Sequence, residues 1–544
     1  MDPKKIKETL LLPRTNFPLK NVNHGETEKK IREIWVEKKI YQKLLENNRN
    51  NPSFILHSGP PYANGKLHIG HVLNFLIKDI IVRFQASQGK YTPFLLGWDT
   101  HGLPIEHKMI QTHQGQEINL HQICHDFALE QVQIQKEQLK KLGLFTDYDK
   151  YYITLDKNYE AEQLRVFAEM VKKGLIYRGY RPIHWSWSHE TALAENEIEY
   201  LEKKDTSLYF KIRLAETPNF LGQENINLLV WTTQPWTIPA NRLVAVKKTS
   251  SYALVNYNGE YLIILENKIP LLEKWSKEKL KVEKIIVGER LLGLTYFYPY
   301  QKDAKGYIVD GSDFIEEGEG TGLVHLAPAF GAEDFAVAKR EKLVIECPLE
   351  PNGLINEKIK IPELVGKHYS EVNNYVITEL EKRNLVIKKE LITHSYPHDW
   401  RDKSPLVYRL TEQWFIKVEQ IKKELLENIR KVKWYPAWTE EKMRQIITAR
   451  EDWCISRQRK WGVPIPVLYK NNDPILNSEI INYVAEIIVN RGSDCWFDGS
   501  ILSLLREKFP RLIDKETILG EDIMDVWLDS GVSHWCVLRR ETRD

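Results

Sequence analysis

The stretch from Phe54 to Phe84 constrains the fold of this chain more than any other. FILHSG (Phe54–Gly59) is a short apolar run of strand type that stops at a Gly-Pro-Pro break. VLNFLIKDIIVRF (Val72–Phe84) then spreads apolar residues all round a helix, the pattern of a helix buried on every side. A strand, a Gly/Pro turn and a helix place the turn at the carboxyl end of a parallel sheet, where α/β folds bind ligands. FLLGWD (Phe94–Asp99) reads as a second strand ending in polar residues, residues 121–175 as amphipathic helices, and Glu26–Leu45 as a further helix.

The texture changes near residue 200. TSLYFKIRL, INLLVWTT, RLVAVKK, YALVNY, YLIIL and KIIVG are short β-branched or alternating runs with few helical signals between them. Mixed helix and strand returns at THSYPHDW (Thr393–Trp400). The simplest architecture is an α/β domain interrupted by a β-rich insertion, divided as 1–199, 200–392 and 393–544. A chain of 544 residues is too long for one core.

No apolar run approaches the length that spans a bilayer, so no membrane association is expected. MDPKKIKETLLLPRTNF lacks the apolar centre and cleavage site of a leader. The five scattered cysteines suit a reducing cytoplasm. A net charge of +2 neither demands nor excludes a nucleic-acid partner.

Within the turn after the first strand, His68 and His71 stand on one side of the entry to the helix. A helix N-terminus favours phosphate, and imidazoles there can donate to phosphate oxygens and stabilise charge at the α-phosphate. Gly65 and Gly70 allow backbone to approach a ligand. Two histidines before a helix can equally be caps or surface residues. Asp99, at a strand end, is placed to pair with an α-ammonium group.

The whole of GPPYANGKLHIGH (Gly59–His71) resembles the HIGH signature of class I aminoacyl-tRNA synthetases, and GWDTHGLPIE (Gly97–Glu106) resembles the isoleucyl enzymes. The resemblance runs from about residue 15 to 538. It implies a Rossmann-like catalytic domain in which Pro61, Asn64, Gly65, His68, Gly70 and His71 bind ATP with Mg²⁺. It also implies that Pro60, Asp99 and Trp527 hold L-isoleucine, and that tRNA(Ile) is the partner of a monomer. WTTQPWTIPAN (Trp231–Asn241) and GTGLVHLAPAFGAEDF (Gly320–Phe335) resemble the editing domain of isoleucyl, valyl and leucyl synthetases. There Thr232, Thr233, Asn241 and His325 would line the pocket and Asp334 would bind the ammonium of a misacylated valine. Valine differs from isoleucine by one methylene, worth only ~1–3 kcal/mol in a hydrophobic pocket, so a second, hydrolytic site is needed; this enzyme family is the example from which that magnitude comes. Gln234 stands where the family usually shows a third threonine, and weakened editing is expected from it.

Many relatives carry a Cys-x-x-Cys pair in each of two segments, here HWSWSHETALAENE and SYPHDWRDKSP, which together hold one zinc. The four positions are Ser186, His189, Asp399 and Asp402. With no thiolate among them, a structural zinc is not expected. Further on, Arg457, Arg459, Lys460 and Trp461 suit contacts with tRNA phosphate and an unpaired 3′ end; a solvated basic surface is the plainer alternative. The sequence stops before the family's LEGSDQHRGWF-like segment, KMSKS loop and anticodon-binding domain. KWSKE (Lys274–Glu278) lies inside the insertion and cannot replace that loop. The expectation is a truncated isoleucine–tRNA ligase with impaired synthesis alone, the alternatives being an editing hydrolase fragment or a tRNA- or nucleotide-binding remnant.

Overall fold

The computed structural model describes residue 9 and residues 24–113, 119–300 and 304–539. Most of the amino-terminal run read for a leader, and the last residues of the chain, lie outside them. The chain forms two compact units, one of 1–169, 460–520 and 526–544, the other of 170–459 and 521–525.

In the first unit, strand Leu96–Trp98 pairs in parallel with Tyr151–Ile153. Parallel bridges Ser53↔Tyr91, Leu56↔Phe94 and Tyr62↔Asp99 lay the FILHSG run and the following turn alongside. Gly97 is required here, because a Cβ at that position would lie 2.0 Å from the ring of Tyr152. Helices Ile69–Ser87 and Leu120–Leu142 cover this layer, with Phe75, Val82, Leu96, Trp98, Val132 and Leu139 in its core. The amino-terminal helical signal divides into His24–Glu37 and Ile40–Asn48, because Lys39 between them adopts a left-handed conformation.

Helix Ile69–Ser87 corrects an expectation. It is not buried all round: Phe75, Val82 and Ala86 are buried, whereas Ile69, Leu73, Ile77, Ile80 and Phe84 are 82, 62, 50, 65 and 59% exposed. Apolar residues on every side bury a helix only where other elements pack on every side. Among the described residues, packing reaches one face.

The second unit is dominated by strands. A six-stranded sheet runs, in spatial order, Lys281–Val287, Ser251–Tyr257, Glu260–Leu265, Ile226–Thr232, Ile198–Arg213 and Val386–Asp399. A four-stranded sheet follows the order Thr295–Phe297, Lys305–Asp310, Leu243–Val246 and Leu323–Leu326. The two share one core that includes Phe210, Val230, Val244, Ile263 and Ile308. Strands Ile198–Arg213 and Val386–Asp399 pair antiparallel along their length, so positions 200 and 392 fall within continuous strands. Lys274–Glu278 sits at the end of a short helix, Ile269–Ser276. No helix among the described residues is long and apolar enough to cross a membrane.

Candidate active site and hydrolytic cleft

The turn into helix Ile69–Ser87 is built by its own histidines. The Gly70 N–H donates to His68 Nδ1 at 3.1 Å, and the His68 N–H donates to His71 Nδ1 at 3.3 Å. This reciprocal arrangement is a capping box, normally made by Ser/Thr and Glu. The two rings lie 3.9 Å apart. Burial, and the nearby His68, lower the pKa of His71. Because each Nδ1 lone pair is taken by a backbone N–H, each Nε2 is left carrying the proton, ready to donate to an anion at the helix start. Gly70 is needed for this, since a Cβ there would meet the His68 ring at 2.9 Å. The capping and anion-binding readings are therefore compatible.

The rest of the loop is held from behind. Gln135 donates to the carbonyls of Tyr62 and Gly65 at 2.8 and 2.7 Å and accepts from Trp98 Nε1 at 3.1 Å. Asp99 N–H donates to the Pro61 carbonyl and Ala63 N–H to the Asp99 carbonyl, which ties Pro60–Pro61 to the strand end. The Asp99 carboxylate is 2% exposed and accepts from Ser530 Oγ at 2.9 Å and Thr154 Oγ1 at 3.4 Å. Burial, then the charge of Asp529, push its pKa up to about 8. Trp527, on helix Val526–Gly531 with Ser530, is 41% exposed. Sequence reading missed Gln135 and Ser530, because their roles depend on contacts 70 and 431 positions away.

In the second unit, Thr232, Thr233 and His325 line one cleft of about 360 Å³ with Trp231, Thr321 and Gly322. Thr237 Oγ1 donates to the Gln234 carbonyl at 2.9 Å and lies 3.2 Å from His325 Nε2, so Nε2 carries the proton and donates. His325 Nδ1 is buried without a hydrogen-bond partner. Burial lowers the pKa of this imidazole to about 4, which keeps it neutral.

Asn241 and Asp334 are engaged outside that lining. The Asn241 amide accepts from Tyr296 Oη at 2.7 Å, donates to the Leu243 carbonyl at 3.0 Å, and borders a separate hollow of about 190 Å³. Asp334 Oδ2 accepts from Ala327 N–H at 2.7 Å, and burial raises its pKa to about 7. Gln234 is absent from the cleft's lining as well; its backbone starts the 3₁₀ turn Pro235–Ala240.

The expected RNA-contacting run is corrected in part. Arg457 is buried: it donates to Asp525 Oδ2 at 2.8 Å and to the carbonyls of Cys454 and Ser456, and lies 3.7 Å from Glu197. Strand Ser456–Arg457 pairs with Ile523–Met524, which draws the guanidinium onto Asp525. Trp461 is buried too, its indole donating to the Thr100 carbonyl at 2.9 Å. Arg459 is half-buried, and Lys460 is exposed.

Ser186, His189, Asp399 and Asp402 do come together. Asp399 Oδ2 lies 3.0 Å from both Ser186 Oγ and His189 Nδ1, and Ser188 Oγ donates to Asp402 at 2.6 Å. The ligand atoms of His189, Asp399 and Asp402 lie within 4.8 Å of one another. The set offers no thiolate, and its carboxylates are already hydrogen-bonded, so it does not fit a structural zinc of the Cys₄ kind.

A family model for class I tRNA synthetases (I, L, M and V) matches residues 30–544. An isoleucine–tRNA ligase of Bacillus cereus strain AH187 is 43% identical over 554 residues, covering 99% of this chain and 59% of the relative. One from Bacillus anthracis strain CDC 684 is 42% identical over 550 residues, with the same coverage. The chain thus spans 59% of the length of these relatives. A leucyl synthetase–tRNA–LeuAMS complex from Agrobacterium radiobacter K84 aligns with a TM-score of 0.41 and 17% identity, over 96% of this chain and 60% of that one.

Proposed function

The chain belongs to the class I tRNA synthetases of the I, L, M and V group, and from that premise we propose that it carries the isoleucine-activating and editing portion of an isoleucine–tRNA ligase. The observation that carries this reading is the backbone pairing of Asp99, its carboxylate buried, with Pro61 and Ala63 in the loop that leads to His68 and His71.

In this reading Asp99 accepts the α-ammonium of isoleucine while Pro60 and Trp527 wall its side chain. The loop from Pro61 through Asn64 and Gly65 to Gly70 carries ATP. A carboxylate oxygen of the amino acid attacks the α-phosphorus, and the bond to the β-phosphate oxygen breaks to release pyrophosphate. His68 and His71 donate through Nε2 to the charge that gathers at the α-phosphate. Mg²⁺, when bound with ATP, neutralises phosphate charge. The 3′-terminal ribose hydroxyl of tRNA(Ile) then displaces AMP, with Arg459 and Lys460 as its phosphate contacts.

For a valyl ester in the cleft, water adds to the carbonyl and the ribose hydroxyl leaves. Thr232 and Thr233 line the cleft and supply hydroxyls for this water, and His325 holds Thr237 beside them through Nε2. A monomer in the cytoplasm, with no zinc, completes the proposal.

The test is isoleucine-dependent ATP–pyrophosphate exchange beside deacylation of Val-tRNA(Ile). The expected pattern is exchange that depends on isoleucine, with measurable deacylation of the valyl ester. A second reading, an editing hydrolase alone, is favoured by the containment of Thr232, Thr233 and His325 in one compact unit. Deacylation with no isoleucine binding would select it. Nucleotide or tRNA binding without either turnover would leave only a binding role.

A further inference from the structure

Three carboxylates from separate elements are buried together in the first unit. Asp99 follows strand Leu96–Trp98, Glu160 lies on helix Lys157–Lys172 and Asp529 on Val526–Gly531; they are 2, 3 and 1% exposed. Glu160 accepts from both the N–H and the hydroxyl of Ser493, and Asp529 accepts from Gln163 Nε2 at 2.6 Å. His101 is the base that reaches two of them: Nδ1 lies 2.8 Å from Asp529 Oδ2 and Nε2 3.4 Å from Glu160 Oε1. Its ring packs against Trp461, with centroids 5.4 Å apart.

An imidazole bound at both nitrogens by carboxylates must carry both protons, since each nitrogen can only donate to an acceptor. Burial opposes that charge, but the hydrogen bonds and charges of Asp529 and Glu160 prevail and raise its pKa to about 10. One cation faces the two acids Asp529 and Glu160, which leaves a surplus of negative charge beside Asp99, and an ammonium is the ligand group that neutralises it.

We infer that His101 is a positioning residue for amino-acid binding. It clamps Asp529, whose neighbour Ser530 holds Asp99, and its charge favours the ionised form of the Asp99 carboxylate, the form that receives the ammonium, against the burial and the Asp529 charge that oppose it. The other groups in the surroundings are Tyr152 and Tyr159, which burial keeps neutral and which donate to the Ser58 and Asp529 carbonyls, together with Cys536 and with Asp494, whose pKa the nearby His121 and His101 lower. The inference rests on the proposed role of Asp99, and the experiment separates the two.

Binding of L-isoleucine and of its deaminated analogue, 3-methylpentanoate, to the 544-residue chain is measured by calorimetry from pH 6 to 9. For the unaltered chain, isoleucine affinity rises by up to ~tenfold per pH unit below about 8, as the Asp99 proton is released, and 3-methylpentanoate shows no such rise. His101→Gln moves that rise upward by about one pH unit or more and weakens isoleucine about tenfold at pH 7, leaving the analogue unchanged. Asp529→Asn, which removes a like charge beside Asp99, moves the rise downward.

If the unaltered chain holds the analogue as tightly as isoleucine, the role of Asp99 is wrong. If it discriminates but the His101→Gln profile superimposes on it, or falls uniformly without displacement, the inference alone is overturned. Selective ¹⁵N-histidine NMR decides independently of ligand: His101 stays doubly protonated at pH 8, and a neutral ring there overturns the inference.

Discussion

Ser530 Oγ donates to Asp99 Oδ2 across 431 positions of sequence, at 2.9 Å, inside a pocket where the carboxylate is 2% exposed. This bond joins the strand that ends in GWD to the short helix of WLDSG, and it pulls against the burial that favours the protonated acid. Ser530→Ala leaves that carboxylate with Thr154 as its remaining hydroxyl contact. The expected cost is ~1–3 kcal/mol, measured by chemical denaturation.

Asp99 also predicts a pH dependence of stability. Its folded pKa of about 8 exceeds the ordinary 3.8, so between these values the folded chain binds the extra proton. The stabilisation is complete below about 3.8 and is lost as pH rises through about 8. Relative to Asp99→Asn, the unliganded chain should therefore lose up to ~1.4 kcal/mol per pH unit inside that window. Parallel denaturation curves at pH 5, 6, 7 and 8 test this, and a constant difference refutes it.

Arg457 and Lys460 should separate cleanly. Arg457→Ala strands Asp525 as a buried charge and is expected to cost ~3–5 kcal/mol of stability. Lys460→Ala should change stability by no more than ~0.5 kcal/mol while weakening tRNA binding and flattening its salt dependence. Denaturation together with filter binding at two salt concentrations distinguishes a structural from a phosphate-contacting side chain.

In the cleft lined by Thr232, Thr233 and His325, His325→Ala removes the hydrogen bond to Thr237, and under the proposed editing role Val-tRNA deacylation should fall by ~tenfold. His325 is already neutral down to about pH 4, so it contributes no activity change between pH 5 and 8.

The open side of helix Ile69–Ser87 exposes an apolar stripe that a soluble surface rarely keeps. Ile77→Lys with Ile80→Lys should leave stability within ~0.5 kcal/mol, measured by thermal denaturation. A large loss of stability would show that this face packs within the chain.

Much of this molecule was legible because some physics is local. The turn and helix at His68, the alternating runs between residues 206 and 288, and the carboxylate closing GWD are each set by neighbours in sequence, whereas FILHSG, expected as a strand, makes only isolated bridges. Their signal is therefore in the periodicity, and the resemblance to isoleucyl synthetases rests on the same local words. Tertiary structure decided what those words cannot contain. It determined that Arg457, on a basic-looking run, faces Asp525, that Asn241 serves Tyr296 rather than the cleft, and that Gln135 props the Tyr62–Gly65 loop. It also determined that His101 is enclosed by two acids from distant helices. A side chain's residue type fixes what it can donate or accept, but burial and partners fix its charge state, and those depend on contacts hundreds of residues apart.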